Sequence, residues 1–248
     1  MSHIKCKGHC LSCPVRYRSI FSDLPEDALE ETIKDFHTTV INYDSGESIF
    51  HQYDDSNKSA FTLRKGLVKI TKSLPDGRIQ IVRVLVAGDL FGFDGLASEP
   101  YNHTAVALTD CEVCRLPLGD LSELRKTNNE VDRSIMSRLI KNVRQSEDML
   151  LELGAKKAPE KLASFILSLS QSDLKNELDD KDSEDQMEWI KLHLSRSEIG
   201  SLLGLTIETV SRFISSWKRK GFINESKGSI QIVDPEGLRA EACSSRSC

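Results

Sequence analysis

Hydrophobic and polar positions divide the chain into stretches of different period. Across residues 20–126 the apolar residues fall in short runs broken by turn formers. Residues 67–73 and 79–86 are rich in valine and isoleucine, and Leu74-Pro75-Asp76-Gly77-Arg78 between them has the composition of a hairpin turn. Gly66, Gly88, Gly92 and Gly95 recur at spacings suited to the corners of a compact antiparallel barrel or jelly roll. No regular alternation of strand and helix is present, which argues against a parallel dinucleotide-binding sheet. The pattern predicts an α+β protein whose first large domain, 20–126, is an antiparallel β-roll.

The period changes over 127–154. Met136, Leu139, Val143, Ser146, Leu150 and Leu153 step by 3, 4, 3, 4 and 3 residues, a coiled-coil seam of about three heptads. A second stripe, with Ile135 and Ile140, is available to pack on the β domain. Two stripes predict a dimerisation helix and hence a homodimer; one amphipathic helix lying on its own domain is the other reading. Ser146 places a small polar group in the seam, which costs less to bury than a charge.

The last module spans 158–235. Residues 161–169 read as a helix, 171–188 as an acidic loop and 189–194 as a short strand. Ser195-Arg196-Ser197-Glu198 is a capping box opening a helix that stops at Gly204. Thr206 caps a second helix running to Lys220, ended by Gly221. Strand-like 222–224 and 229–233 flank Ser226-Lys227-Gly228 as a small hairpin. Two short helices joined by a turn containing glycine, followed by a hairpin, make a winged helix-turn-helix. Residues 236–248 are left as a C-terminal tail, and 1–19 as a short cysteine-rich segment.

Composition narrows the function. The 248 residues are 39% apolar and 29% charged, enough for a sizeable core in one large or two small domains. No apolar run approaches the ~20 residues of a membrane span, and Met1-Ser2-His3-Ile4-Lys5 opens no apolar signal core. The expectation is a cytoplasmic protein with no membrane partner, whose seven cysteines are kept reduced. The net charge of −5 hides an asymmetry: 171–188 holds eight acids against Lys175 and Lys181, whereas 191–228 holds seven bases against Glu198, Glu208 and Glu225. A basic module carrying a helix-turn-helix points to double-stranded DNA.

Within that module Ile199, Leu202, Leu203, Leu205, Val210, Phe213, Ile214 and Trp217 are expected to clamp the two helices together. This leaves Thr206, Glu208, Thr209, Ser211 and Arg212 facing outward. Arginine can pair bidentately with guanine, glutamate can accept from the cytosine amino group, and serine or threonine can reach phosphate or a thymine methyl. Lys218 and Arg219, nearer the helix end, suit phosphates.

Gly200-Ser201-Leu202-Leu203-Gly204-Leu205-Thr206-Ile207-Glu208-Thr209-Val210-Ser211-Arg212 resembles the recognition motif of the cyclic-AMP receptor/FNR superfamily of bacterial transcription regulators, and its Glu-x-x-Ser-Arg form resembles the FNR branch. The resemblance extends to Lys65-Gly66-Leu67-Val68-Lys69, to Ala87-Gly88-Asp89-Leu90-Phe91-Gly92-Phe93-Asp94 and to the long helix. It implies a β-roll sensor, a dimerisation helix and a winged helix that binds a TTGAT-N4-ATCAA palindrome as a two-fold dimer. It also implies RNA polymerase as a partner and no enzymatic activity.

Cyclic-nucleotide members of the superfamily carry glutamate just after the cassette glycine and an Arg-Ser/Thr pair further on. Phe93 follows Gly92, and His103-Thr104 stands in place of the pair, so both anchors are lost and no cyclic nucleotide is expected. A cupin-like metalloenzyme would need clustered ligands, and His37, His51 and His103 show no His-x-His spacing. Cys6, Cys10 and Cys13 form C-x3-C-x2-C, while Cys111 and Cys114 lie far along the chain; thiolates so spaced suit iron–sulfur clusters or zinc.

The resemblance implies a [4Fe-4S] cluster on three clustered cysteines and one remote cysteine, and Cys114 falls on the remote position. Ser19 occupies the position of the third ligand in the C-x2-C-x5-C pattern, so the set becomes Cys6, Cys10, Cys13 and Cys114, or Ser19 completes it. Zinc on the same thiolates, thiol oxidation or another small ligand are the remaining readings. The N-terminal cysteines are expected on a flexible tail and Cys114 on the rigid roll. FNR relatives carry aspartate where Ser146 stands, so weaker repulsion across the seam is implied. Cys111, Cys243 and Cys248 receive no role.

Overall fold

The computed structural model describes residues 3–7, 10–34, 36–56, 59–171 and 189–243. The chain forms two compact units, Met1–Arg144 and Gln145–Cys248.

The first unit is the β-roll. One sheet has the order β1 (His3–Lys7), β2 (Thr39–Tyr43), β9 (Cys111–Pro117), β4 (Ser59–Lys65), β7 (Leu90–Phe91); the other runs β3 (Ser48–Phe50), β8 (Thr104–Ala107), β5 (Val68–Ser73), β6 (Ile79–Leu85). Every described pairing is antiparallel. Alternate residues point inward and bury Phe50, Phe61, Leu63, Val68, Ile70, Leu85, Phe91 and Val113 in one cluster. Phe50 stacks on Tyr101 with ring centroids 3.9 Å apart. The 74–78 turn closes as expected, Leu74 N–H donating to Arg78 O at 2.9 Å. Gly66 has φ +89°, and a Cβ there would stand 2.5 Å from Asp110 O, so this corner requires glycine.

A second cluster joins the N-terminal segment, the sheet and the helices: Ile20, Phe21, Leu24, Leu29, Phe36, Leu116, Leu121, Val131 and Ile135. It draws on α1 (Glu26–Thr32), α2 (Leu118–Thr127) and the start of α3 (Asn129–Ala155). The cysteine-rich segment therefore differs from the expected tail. Residues 3–7 pair with β2, a single-turn 3-10 helix forms at Arg16–Arg18, and buried Arg16 donates to Glu26 Oε1 at 2.8 Å and to Leu24 O at 3.1 Å. Its apolar residues 20, 21 and 24 supply the burial that holds it down.

The long helix expected over 127–154 forms as α3, and a shorter helix, α2, precedes it inside the stretch expected as β-roll. Asn128 leaves the helical conformation and ends α2, and its Oδ1 accepts from Glu130 N at 3.0 Å and Val131 N at 3.2 Å, which starts α3. The second stripe also needs correction. Ile135 is 0% exposed, but Ile140 is 49% exposed. Five residues are about 140° apart around a helix, so the two cannot share a face. Leu139, one turn from Ile135, packs against the second cluster instead. Met136, Val143 and Leu150 are exposed at 46%, 57% and 70%, and Ser146 is exposed beside them.

The second unit contains α4 (Ala158–Gln171), α5 (Arg196–Leu203), α6 (Ile207–Lys220) and α7 (Pro235–Ala242), with a sheet of order β10 (Trp189–Lys191), β12 (Ser229–Ile232), β11 (Ile223–Ser226). The expected strand to 194 stops at Lys191. The C-terminal tail proposed from 236 begins as a helix: Asp234 caps it by accepting from Gly237 N, Pro235 occupies its first turn, and it packs on α4. From residue 172 onward the acidic loop lies outside the described residues, as does Cys248.

Candidate nucleic-acid interface and cysteine site

The helix-turn-helix is built from local signals. Ser195 Oγ accepts from Glu198 N at 3.2 Å, while Glu198 Oε2 accepts from Ser195 N at 2.9 Å, which completes the capping box. Gly204 takes the left-handed conformation that ends α5. Gly200 is required by proximity: a Cβ would lie 2.6 Å from Leu205 O, and Leu205 N–H donates to Gly200 O at 2.9 Å. Thr206 Oγ1 then accepts from Thr209 N at 3.2 Å and starts α6. Ile199, Leu202, Leu203, Val210, Ile214 and Trp217 are buried between the elements, and Phe213 stacks on Trp217 at 5.8 Å. Leu205 and Phe213 are only half-buried.

This packing fixes what α6 shows to solvent. Thr206, Glu208, Arg212, Lys218 and Arg219 are exposed; Thr209 and Ser211 are half-buried on the flank. The backbone amide at the helix start and the Thr206 hydroxyl hold the Glu208 carboxyl below its usual range. Arg212 keeps its guanidinium 5.3 Å from the Phe213 ring centroid, which supports it without neutralising it. A carboxylate and a guanidinium thus stand one turn apart on one exposed face, a donor and acceptor pair suited to base edges.

In the other unit, β2 and β9 bring remote residues together. Cys114 pairs with Val40 on one side and with Thr62 on the other. Cys10 and Cys114 both pack against the second cluster. Cys10, Cys13 and Cys114 lie within electrostatic reach of one another, and the Thr38 hydroxyl and the Arg64 guanidinium face Cys10 and Cys114. Burial raises the Cys10 thiol and pushes Cys114 up to about 12, outweighing Thr38 and Arg64. Thr38 Oγ1 is buried and has no partner at full hydrogen-bond geometry.

Cys6 occupies the β1 position paired with Val40, which itself pairs with Cys114. Ser19 is otherwise engaged: its hydroxyl donates to Arg16 O at 2.8 Å and accepts from Phe21 N at 3.2 Å. Cys111 is set apart, buried in the roll with Sγ 3.2 Å from Leu67 O. Among the described residues no three histidine, cysteine or acidic side chains converge as a finished metal site.

Comparison with known proteins follows this division. The cyclic nucleotide-binding domain family matches residues 40–128, and the Crp-like helix-turn-helix domain family matches 160–241. Electron transport regulator A of Shewanella oneidensis is 31% identical over 241 residues, covering 97% of this chain and 93% of the relative. The chain belongs to the CRP/FNR family of transcription regulators. The nitrogen fixation regulation protein FixK of Bradyrhizobium diazoefficiens is 32% identical, with 96% of each chain covered. The fumarate and nitrate reduction regulatory protein of Escherichia coli is 28% identical, covering 94% of this chain and 90% of its own. Among solved structures, FixK2 from Bradyrhizobium japonicum superposes with a TM-score of 0.71 at 26% identity, over 83% of this chain and 98% of that one. The relatives are regulators rather than enzymes.

This CRP/FNR regulator also carries site residues that sequence reasoning missed. Arg196, at the start of α5, makes a forked contact with Glu225 of the hairpin at 2.7 and 2.9 Å, which fixes the wing to the helix-turn-helix. Its signal was available, since the capping box places residue 196 in the first turn. Thr38 and Arg64 carry no sequence signal, because only the folding of β2 and β4 beside β9 brings the residue before β2 and the irregular position 64 of β4 near Cys114. No helix among the described residues is long and apolar enough to cross a membrane.

Proposed function

We propose that this protein is an FNR-type regulator of the cytoplasm. It binds a TTGAT-N4-ATCAA-like palindrome as a homodimer and responds to oxygen or redox state through a [4Fe-4S] cluster held by Cys6, Cys10, Cys13 and Cys114. The observation that carries this reading is that Cys10 and Cys13 lie within electrostatic reach of Cys114, with Cys10 and Cys114 packed on the cluster that buries Ile135 of α3. Soft thiolate donors, the Thr38 hydroxyl that faces Cys10 and Cys114, and the Arg64 cation, which also pairs with Glu112 at 3.8 Å, fit an anionic iron–sulfide core. Ser19, spent on its own turn, is left out of the ligand set.

When bound, such a cluster supplies an oxygen-labile link between its ligands. The chain's own residues do the rest. Cys10 and Cys13 lead directly into the segment that packs on α3, so the ligand positions and the helix share one hydrophobic cluster. The exposed stripe of Met136, Val143 and Leu150 is the surface for a second copy, with Ser146 among them. Leu153 stands at the other end, with its side chain 3.5 Å from where a Gly204 Cβ would lie. Arg212 and Glu208 read the guanine–cytosine pair of each half-site, with Ser211 beside a thymine, while Thr206, Thr209, Lys218 and Arg219 hold phosphates.

No cyclic nucleotide is assigned to the roll: Phe93 packs against the second cluster and the Thr104 hydroxyl accepts from Gln52 N at 2.9 Å. The test is metal analysis of protein purified without oxygen. Iron and acid-labile sulfide at about four each per chain support the reading, and their loss in Cys114→Ser locates the site. Stoichiometric zinc, or no metal at all, contradicts it.

A further inference from the structure

The contact between the cysteine-bearing segment and α3 has a polar member as well as an apolar one. Arg138, one turn beyond Ser134, donates from Nη2 to Ser19 O at 2.5 Å and from Nη1 to Gly88 O at 3.4 Å. Its Nε is buried without a partner, and Asp89 and Asp23 flank the charge. One guanidinium carried by the helix therefore touches two separate pieces of backbone, the N-terminal segment and the roll. The segment it grips is short of slack. Successive backbone hydrogen bonds run from Arg16 N to Cys13 O at 3.0 Å, from Arg18 N to Val15 O at 2.9 Å and from Ser19 N to Arg16 O at 3.0 Å. The roll presses on it from the other side, since a Cβ at Gly88 (φ +92°) would stand 2.5 Å from Arg18 Cβ. Ser22 and Ser134 hydroxyls meet at 3.4 Å just beyond.

We infer that Arg138 is a positioning residue that passes a change at Cys10 and Cys13 to the dimerisation helix. The route is covalent and hydrogen-bonded throughout: Cys13, the 15–19 turns, the Ser19 carbonyl, the Arg138 guanidinium, α3. The apolar contacts of Ile20, Phe21 and Leu24 with Val131 and Ile135 hold the segment on the helix but tolerate sliding. Arg138 fixes the register, because a guanidinium fork bonded to two carbonyls has direction. The identity of the signal rests on the proposed cluster; the coupling itself does not.

Hydrogen exchange of the α3 amides from 134 to 142 reads the coupling directly. Two perturbations are applied: anaerobic loading with ferrous iron and sulfide, and the metal-free substitution Cys10→Tyr. In the otherwise unchanged protein each is expected to alter that exchange by about fivefold or more. In Arg138→Gln the change falls below about twofold, while iron uptake and the thermal midpoint stay close to those of the parent. Arg138→Lys, able to reach one carbonyl, restores part of it. Transmission at full size through Arg138→Gln overturns the inference. Should Arg138→Gln fail to fold, Gly88→Ala, which displaces Arg18, takes its place with the same two outcomes. If the parent takes up no iron, the cluster reading fails, and the Cys10→Tyr arm alone decides the coupling.

Discussion

Arg212 and Glu208 stand on α6 with no ion-pair partner that would compete with DNA among the described contacts, which is how base-reading side chains differ from structural ones. Replacing Arg212 with alanine is expected to cost ~1–3 kcal/mol per half-site and to relax preference at the guanine. Fluorescence anisotropy on duplexes varied at that position checks this; equal loss on every sequence contradicts base readout. Because the helix start and Thr206 hold Glu208 below the ordinary carboxylate range, it stays charged on moderate acidification. The cysteines behave in the opposite sense. Burial raises both Cys10 and Cys114, so in the metal-free protein they are thiols at neutral pH. Alkylation of Cys114 by iodoacetamide is expected to be slower than in the unfolded chain by more than ~tenfold, and to accelerate as pH rises toward about 12. Fast alkylation at neutral pH, followed by peptide mass spectrometry, contradicts that environment.

Elements show why much of this protein was legible in its sequence. The capping box at Ser195, the glycine stops at Gly204 and Gly221, and the 74–78 turn are local chemistry, and each forms where local chemistry placed it. What the sequence hid depends on packing. The N-terminal segment shows little periodicity because Ile20, Phe21 and Leu24 serve one docking surface rather than a helix face. Ile135 and Ile140 do not form one stripe, because the 100° step per residue turns them to different faces of α3. The α7 helix was missed despite a legible Asp234-Pro235 start. Local rules also predict failure: Gly200→Val should drive a side chain into Leu205 O and destabilise the second unit by several kcal/mol, on the order of 3. Chemical denaturation measures it, and a loss under ~1 kcal/mol would show that the turn can yield. For the long helix, Val143→Glu places like charges across a two-fold seam. A folded monomer by sedimentation, unable to bind the palindrome specifically, is expected. Wild-type affinity in that variant would show the seam to lie elsewhere.

At the scale of the whole molecule, each unit carries one half of a regulator: the first gathers cysteines beside a helix with an exposed apolar stripe, and the second presents a charged recognition helix on a winged fold. α3 is a single helix of 27 residues. Under the proposed function, a signal bound at the cysteines acts on DNA through the number of chains that associate. In the proposed dimer Ser146 puts a neutral side chain in the seam, where an aspartate would bury like charges, so the metal-free chain should dimerise readily and respond to oxygen over a shallow range. The most direct measurement of the central claim is the affinity of protein purified without oxygen for a TTGAT-N4-ATCAA duplex, before and after exposure to air, with iron followed in the same sample. The account predicts tight, sequence-specific binding that weakens by tenfold or more (~1.4 kcal/mol) in step with the loss of iron, and no such change in Cys114→Ser. Binding that is unchanged by air while iron is lost, or a protein that never contains iron, would contradict it.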